Sequence, residues 1–170
     1  MSVSPVTRPV TGKEIASWCF YDFANSAFTT IIVTVAYSVY FTEVVARGQN
    51  PEAWWGRAYA LSMILAGVLA PVLGAAADYS RRRKLFLTVL TLLTILPTAL
   101  LFFVKEGDLG LGLFLFIWAN LCYSGALAFY DSFLKDISVP SNIGRISGAG
   151  WALGYLGGLL ALLMVYPFVS

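Results

Sequence analysis

The 170-residue sequence contains no histidine. That removes the commonest catalytic base and metal ligand. It has two cysteines, Cys19 and Cys122, far apart in apolar runs. They offer neither a disulfide framework nor a metal-binding spacing. Charged residues make up only 12% of the chain, too few to cover a globular surface. The net charge of +2 is small and implies no polyanionic partner, so a nucleic acid is not expected. Hydrophobic residues, by contrast, reach 59% and gather in long runs. The class left is an integral membrane protein with several helices.

A helix needs about 20 mainly apolar residues to cross the hydrocarbon core. Five runs meet that length: about Trp18 to Val45, Trp55 to Ala77, Leu85 to Val104, Leu109 to Leu134 and Ile146 to Val169. Leu85 to Val104 has no charge and no polar face at helical spacing, so a soluble amphipathic helix does not fit it. The polar start, Met1 to Thr11 with Pro5 and Pro9, is not a cleavable signal. The run after it is too long for one and holds Asp22, which makes it a retained first helix. The connections are short and leave no room for a soluble domain.

The basic residues divide unevenly between the two sides. Arg8, Lys13, Arg81, Arg82, Arg83, Lys84, Lys135 and Arg145 fall on one side, and Arg47, Arg57 and Lys105 on the other. Excess Lys and Arg marks the cytoplasmic face, so the N-terminus is expected inside and the C-terminal end outside. Tyr37, Tyr40, Phe41, Trp54, Trp55, Phe102, Phe103, Tyr166 and Phe168 cluster near the outer ends, as an interfacial aromatic belt would.

Polar groups inside apolar spans cost free energy unless they face protein or water, which makes them candidates for function. On the first span Asp22, Ser26, Thr29 and Tyr37 share a side at helical spacing, with Asn25 beside them. Such a stripe suits the wall of a solute pathway. The fourth span carries Asn120 and Ser124, with Asp131 on the same side. Asp131 stands four residues before Lys135, the spacing of a local helical ion pair. The fifth span has Gly150, Gly154 and Gly158 in register, with Gly148 and Gly157 adjacent, a pattern that lets helix backbones approach closely. Between the second and third spans, Gly74 and Asp78 precede Arg81, Arg82, Arg83 and Lys84. Anchoring to anionic headgroups explains the cations. A sharper reading is a cytoplasmic gate loop in which Asp78 pairs across the turn.

That Gly-x-x-x-Asp turn with its following cations resembles the loop motif of the major facilitator superfamily. Tyr79 and Arg81 stand where the superfamily loop usually has a basic residue and a glycine. Two further stretches are more specific, Trp18-Cys19-Phe20-Tyr21-Asp22-Phe23-Ala24-Asn25-Ser26-Ala27-Phe28 and Gly144 to Gly158, with Arg145 and Trp151 inside the latter. Both resemble the vacuolar-effluxer-like, autophagy-related branch of that superfamily. The resemblance implies an all-α polytopic bundle, five transmembrane helices of a major-facilitator-type N-terminal half. Residues 1–170 would then be one partial transmembrane domain without the sixth helix and the C-terminal half. It also implies a secondary transporter of small solutes, amino acids among them by family analogy, working by alternating access. The partners expected are the lipid bilayer, a small-molecule solute, a coupling ion and the missing half. The location expected is a bacterial cytoplasmic membrane. The fourth span lacks the arginine of many proton-coupled members, so proton coupling does not carry over. No cofactor, metal or catalytic group is expected. The competing reading is a small membrane scaffold or oligomeric channel assembled through the glycine faces.

Overall fold

The computed structural model describes residues 10–169, with side chains to Pro167. Arg8, counted above for orientation, and the Phe168 side chain of the aromatic belt lie outside the described residues. Five helices, named here α1 to α5, are long and apolar enough to cross a membrane. They are α1 (Gly12–Val45), α2 (Pro51–Ser80), α3 (Arg83–Leu100, followed by a 3-10 turn Leu101–Phe103), α4 (Leu109–Ile137) and α5 (Ile143–Val169). No strand occurs among the described residues. The chain is therefore an all-α, multi-pass membrane protein.

Helix α1 begins before the apolar run does. Thr11 and Glu14 form a capping box in which the Glu14 N–H donates to the Thr11 hydroxyl and the Thr11 N–H donates to the Glu14 carboxylate at 2.9 Å. This satisfies two of the free amides at the helix start. From Phe28 to Val35, and again from Phe41 to Val45, the helix widens to a π-helical pattern. Its hydrogen bonds there reach back five residues instead of four. The Thr34 hydroxyl follows the same reach and donates to the Thr29 carbonyl at 2.9 Å. The widening ends the regular spacing on which the stripe from Asp22 to Tyr37 was read.

The other helix ends follow from local chemistry. Pro51 opens α2, where its missing N–H costs nothing. Arg81 closes α2 in the left-handed region at φ 53°, donating its N–H to the Ala77 and Asp78 carbonyls. That is a conformation glycine takes without strain, and arginine holds it here. In α3 the hydroxyls of Thr88, Thr91, Thr94 and Thr98 donate to the carbonyls four residues earlier at 2.9, 2.8, 2.9 and 2.7 Å. Each donor is thereby satisfied within its own helix, which lets threonine sit in an otherwise apolar span.

The chain divides into two compact units. One holds the residues up to Ala36 together with Tyr130 onward, so that α5 packs along the early part of α1. The other runs from Tyr37 to Phe129 and has its core at Phe41, Val45, Ser62, Val104 and Phe116, each at most 2% exposed. There the Tyr40 hydroxyl donates to the Val104 carbonyl at 2.8 Å, and the Gly107 N–H donates to the Val45 carbonyl at 3.2 Å.

The aromatic belt needs correction. Tyr37 and Phe41 are buried, and together with Trp55 they form one ring cluster that also takes in Phe116. Packing has drawn these residues into the core of their unit. Phe102, Phe103 and Tyr166 do remain exposed. Much of the exposed surface is itself apolar, including Ile64, Val68 and Val72 on α2 and Leu92 and Leu96 on α3. Contiguous exposed apolar side chains mark a lipid-facing or helix-facing surface rather than a watery one.

Candidate functional site

In the first unit the polar residues of α1 meet the glycine face of α5. A Cβ placed on Gly154 would lie 2.5 Å from the Asp22 Oδ2 oxygen and 2.9 Å from the Ser26 hydroxyl oxygen. Both oxygens thus converge on one point at the α5 backbone. Gly150 lies under the Trp18 ring, and Gly158 would bring a Cβ to 2.6 Å from the Thr30 hydroxyl oxygen. The tightest approach is at Gly157, where an added Cβ would overlap the Phe23 backbone carbonyl. Gly150, Gly154 and Gly158 were expected to pack helices, and in this unit they pack α5 on α1. Gly157, noted in the sequence only as adjacent, sits at the closest contact. A period of four selects one row of a helix face, and Gly157 belongs to the neighbouring row. In this unit α1 covers Gly150, Gly154, Gly157 and Gly158, whereas a Cβ on Gly148 would meet nothing within 4 Å.

The end of α4 completes this cluster. The Trp18 indole N–H donates to the Tyr130 backbone carbonyl at 3.0 Å, and its ring stacks on Tyr130 at 4.4 Å. Tyr21 stacks on Tyr130 at 5.1 Å. Asp131, next in sequence, is exposed. The expected local pair between Asp131 and Lys135 does not form, and no ion pair joins them among the described residues. Both side chains are exposed, where such a pair is worth little against side-chain entropy. The Thr29 hydroxyl donates to the Ser26 carbonyl at 3.0 Å. The Asn25 amide nitrogen and the Tyr130 hydroxyl are buried without hydrogen-bond partners.

The second unit gathers the other expected residues. The Asn120 amide donates to the Ser62 hydroxyl at 2.7 Å, and both side chains are buried. Ser62 in turn donates to the Tyr59 carbonyl at 2.7 Å. Ser124 donates to the Asn120 carbonyl at 2.8 Å and touches the Met63 sulfur at 3.7 Å. Ser62 was not read from the sequence as a partner. A buried asparagine needs one, and a lone serine in an apolar neighbouring span was the available signal. Tyr37 belongs to this unit, where its hydroxyl is buried without a hydrogen-bond partner beside Gly112.

At the turn between α2 and α3, Asp78 is exposed and its side chain makes no ion pair or hydrogen bond among the described residues. Its backbone carbonyl, not its carboxylate, meets Arg81. The proposed lock across the turn is absent here. An added Cβ on Gly74 would meet nothing within 4 Å, so that glycine is not held by packing in this unit. Among the described residues, no group of three acidic or cysteine side chains is placed to hold a metal ion.

Comparison with known proteins agrees with this architecture. A family model described as vacuole effluxer Atg22-like matches residues 57–143, from α2 through α4 to the start of α5. An uncharacterized MFS-type transporter, YxiO of Bacillus subtilis (strain 168), is 29% identical over 156 residues, covering 89% of this chain and 36% of its own length. An uncharacterized protein of Aquifex aeolicus (strain VF5) is 30% identical over 161 residues, covering 92% of this chain and 39% of its own length. The chain thus spans well under half the length of both relatives. No solved structure gives a significant match. With the matched residues covering half of the chain and five apolar helices built from them and their neighbours, the chain belongs to the Atg22-like vacuole effluxer family.

Proposed function

We propose that this chain forms part of a secondary transporter of the major facilitator type, moving small solutes by alternating access. Residues 1–170 would supply one partial transmembrane domain of a longer helix bundle. The observation that carries the reading is Asp22, a carboxylate within an apolar span that meets a glycine of a neighbouring helix rather than a cation. Family membership supplies the transport context. Amino acids are the solute class suggested by the family likeness. The side of α1 that carries Asp22, Ser26 and Thr29 is the proposed wall of the pathway. In the other unit, Tyr37, Asn120 and Ser124 are proposed separately as solute-facing residues of the full transporter. The turn from Gly74 through Asp78 to Lys84 is proposed as the cytoplasmic gate loop, acting through its cations and lipid headgroups.

Single cysteines at Asp22, Ser26 and Thr29 test the wall. A small aqueous thiol reagent is expected to react with all three in membranes. Reaction with lipid-soluble reagents alone would place this side against the bilayer and end the reading.

The unequal division of basic residues supports a cytoplasmic N-terminus, and the bacterial relatives suggest a bacterial cytoplasmic membrane. A cysteine at Asn50 is then expected to react with an impermeant reagent added outside intact cells, and one at Ser80 is not. The reverse pattern would invert the proposed orientation.

A further inference from the structure

We propose that the turn between α2 and α3 is a binding surface for anionic phospholipid, with Arg81, Arg82 and Lys84 taking the headgroup phosphate and Tyr79 seated beside it. The first observation is an uncompensated positive patch. Helix α2 ends at Ser80 and α3 begins at Arg83, so only two residues join them. The Arg81 N–H donates to the Asp78 carbonyl and the Arg82 N–H to the Ala77 carbonyl, both at 3.3 Å. These bonds pin the corner and hold its cations close together. The side chains of Arg81, Arg82 and Lys84 are exposed, and among the described residues none of the three forms an ion pair. Asp78, the one carboxylate of the turn, is exposed and pairs with none of them, and α3 has no acidic residue in its first turn. Like charges this close repel, and an external anion relieves the repulsion.

The second observation is independent of the charges. Tyr79 is 95% exposed at the end of α2. Val72 and Val68 are exposed seven and eleven residues before it, spacings that put all three on one side of the helix. On α3, Leu85, Leu92 and Leu96 are exposed at spacings of seven and four. Each apolar row starts beside the cations and runs along a helix long enough to cross a membrane. A tyrosine where such a row ends sits at the level where aromatic side chains anchor among headgroups.

Cations joined to apolar rows select the partner. Guanidinium groups bind phosphate oxygens through paired N–H donors, which alone would suit any phosphate. A soluble phosphate has nothing to lay along Val72 or Leu92, whereas a phospholipid brings both a phosphate and acyl chains. Among phospholipids, a zwitterionic headgroup carries its own cation. A headgroup of the phosphatidylglycerol kind leaves its negative charge unpaired and is the complement of this patch. The inference names the lipid partner of the gate loop proposed above. It rests on that reading for the turn's role in transport and not for lipid binding.

The test is thermal unfolding of the 170-residue chain in phosphatidylcholine nanodiscs with a rising share of phosphatidylglycerol. Phosphatidylglycerol is expected to raise the Tm saturably, by the mass action of a ligand that binds the folded state. Arg82→Gln should weaken the apparent affinity about fivefold, the worth of one cation near an anionic surface, and the triple change Arg81→Gln, Arg82→Gln and Lys84→Gln about a hundredfold. Tyr79→Ala should weaken it with every cation in place. The triple change Arg47→Gln, Arg57→Gln and Lys105→Gln removes the same charge elsewhere and should weaken it far less. Circular dichroism in pure phosphatidylcholine confirms that each variant is folded before it is read, and Arg82→Gln carries the test if the turn triple does not fold. Soluble glycerol phosphate, which has no acyl chains, should leave the Tm where it was. No rise in the parent chain, equal losses in the two triple variants, or an equal rise with glycerol phosphate overturns the surface. Uptake by the longer protein reads the gate separately, so a failed titration sinks the lipid and spares the gate loop.

Discussion

Gly157→Ala is expected to destabilise the chain more than any other single alanine substitution among its glycines. The added Cβ would overlap the backbone carbonyl of Phe23, which no rotamer change can move aside. Relief requires α1 and α5 to separate, and that loosens every contact along their shared face. Overpacking of a well-fitted core costs about 1–3 kcal/mol and occasionally more, and a clash with backbone belongs at the upper end. Gly154→Ala should cost less, because the atoms it meets are the side-chain tips of Asp22 and Ser26. Gly74→Ala is the control. Its Cβ would meet nothing within 4 Å, and replacing a mid-helix glycine by alanine favours the helix by about 1 kcal/mol. Unfolding of the three variants in mixed micelles measures the order. Equal effects at Gly157 and Gly74 would show that the close approach of α1 and α5 does not hold the unit together.

The five helices were legible because hydrocarbon thickness fixes a minimum apolar length and the charged turns mark the breaks. Their ends were less so. The capping box carries α1 back to Gly12, into polar sequence that hydropathy alone assigns to the tail. The glycine row at Gly150, Gly154 and Gly158 was visible as a period of four, yet the closest contact falls at Gly157, since that depends on where the Phe23 carbonyl points.

The site residues divide in the same way. Asp22 and Asn120 stood out as polar groups in apolar runs, whereas their partners did not. Pairing Asn120 with Ser62 joins positions 58 residues apart, and no spacing rule reaches across two helices. Trp18 looked like part of a motif, but its hydrogen bond to the Tyr130 carbonyl exists only once α1 and α4 are side by side. The stripe from Asp22 to Tyr37 assumed an unbroken 3.6-residue period. The π-helical stretch from Phe28 breaks it, and Tyr37 ends in an aromatic cluster with Phe41 and Trp55. The local pair between Asp131 and Lys135 illustrates the opposite error. Correct spacing on a helix permits an ion pair but does not supply the energy to hold two exposed side chains together.

Asp22 is expected to serve transport in the longer protein and not folding. An Asp22→Asn change keeps the shape of the side chain and removes its charge. The contact with Gly154 is steric and survives the change, so insertion and folding should be preserved. The measurement is solute uptake into proteoliposomes by a longer family member that contains this stretch, with radiolabelled amino acids as the first solutes. Asp22→Asn is expected to lower uptake at least about tenfold, corresponding to roughly 1.4 kcal/mol or more of lost interaction. Asn25→Ala should lower it less, because it removes a neutral amide whose nitrogen has no hydrogen-bond partner among the described residues, and no charge is lost. Uptake by Asp22→Asn equal to that of the parent protein, at equal amounts of folded transporter, would contradict the account.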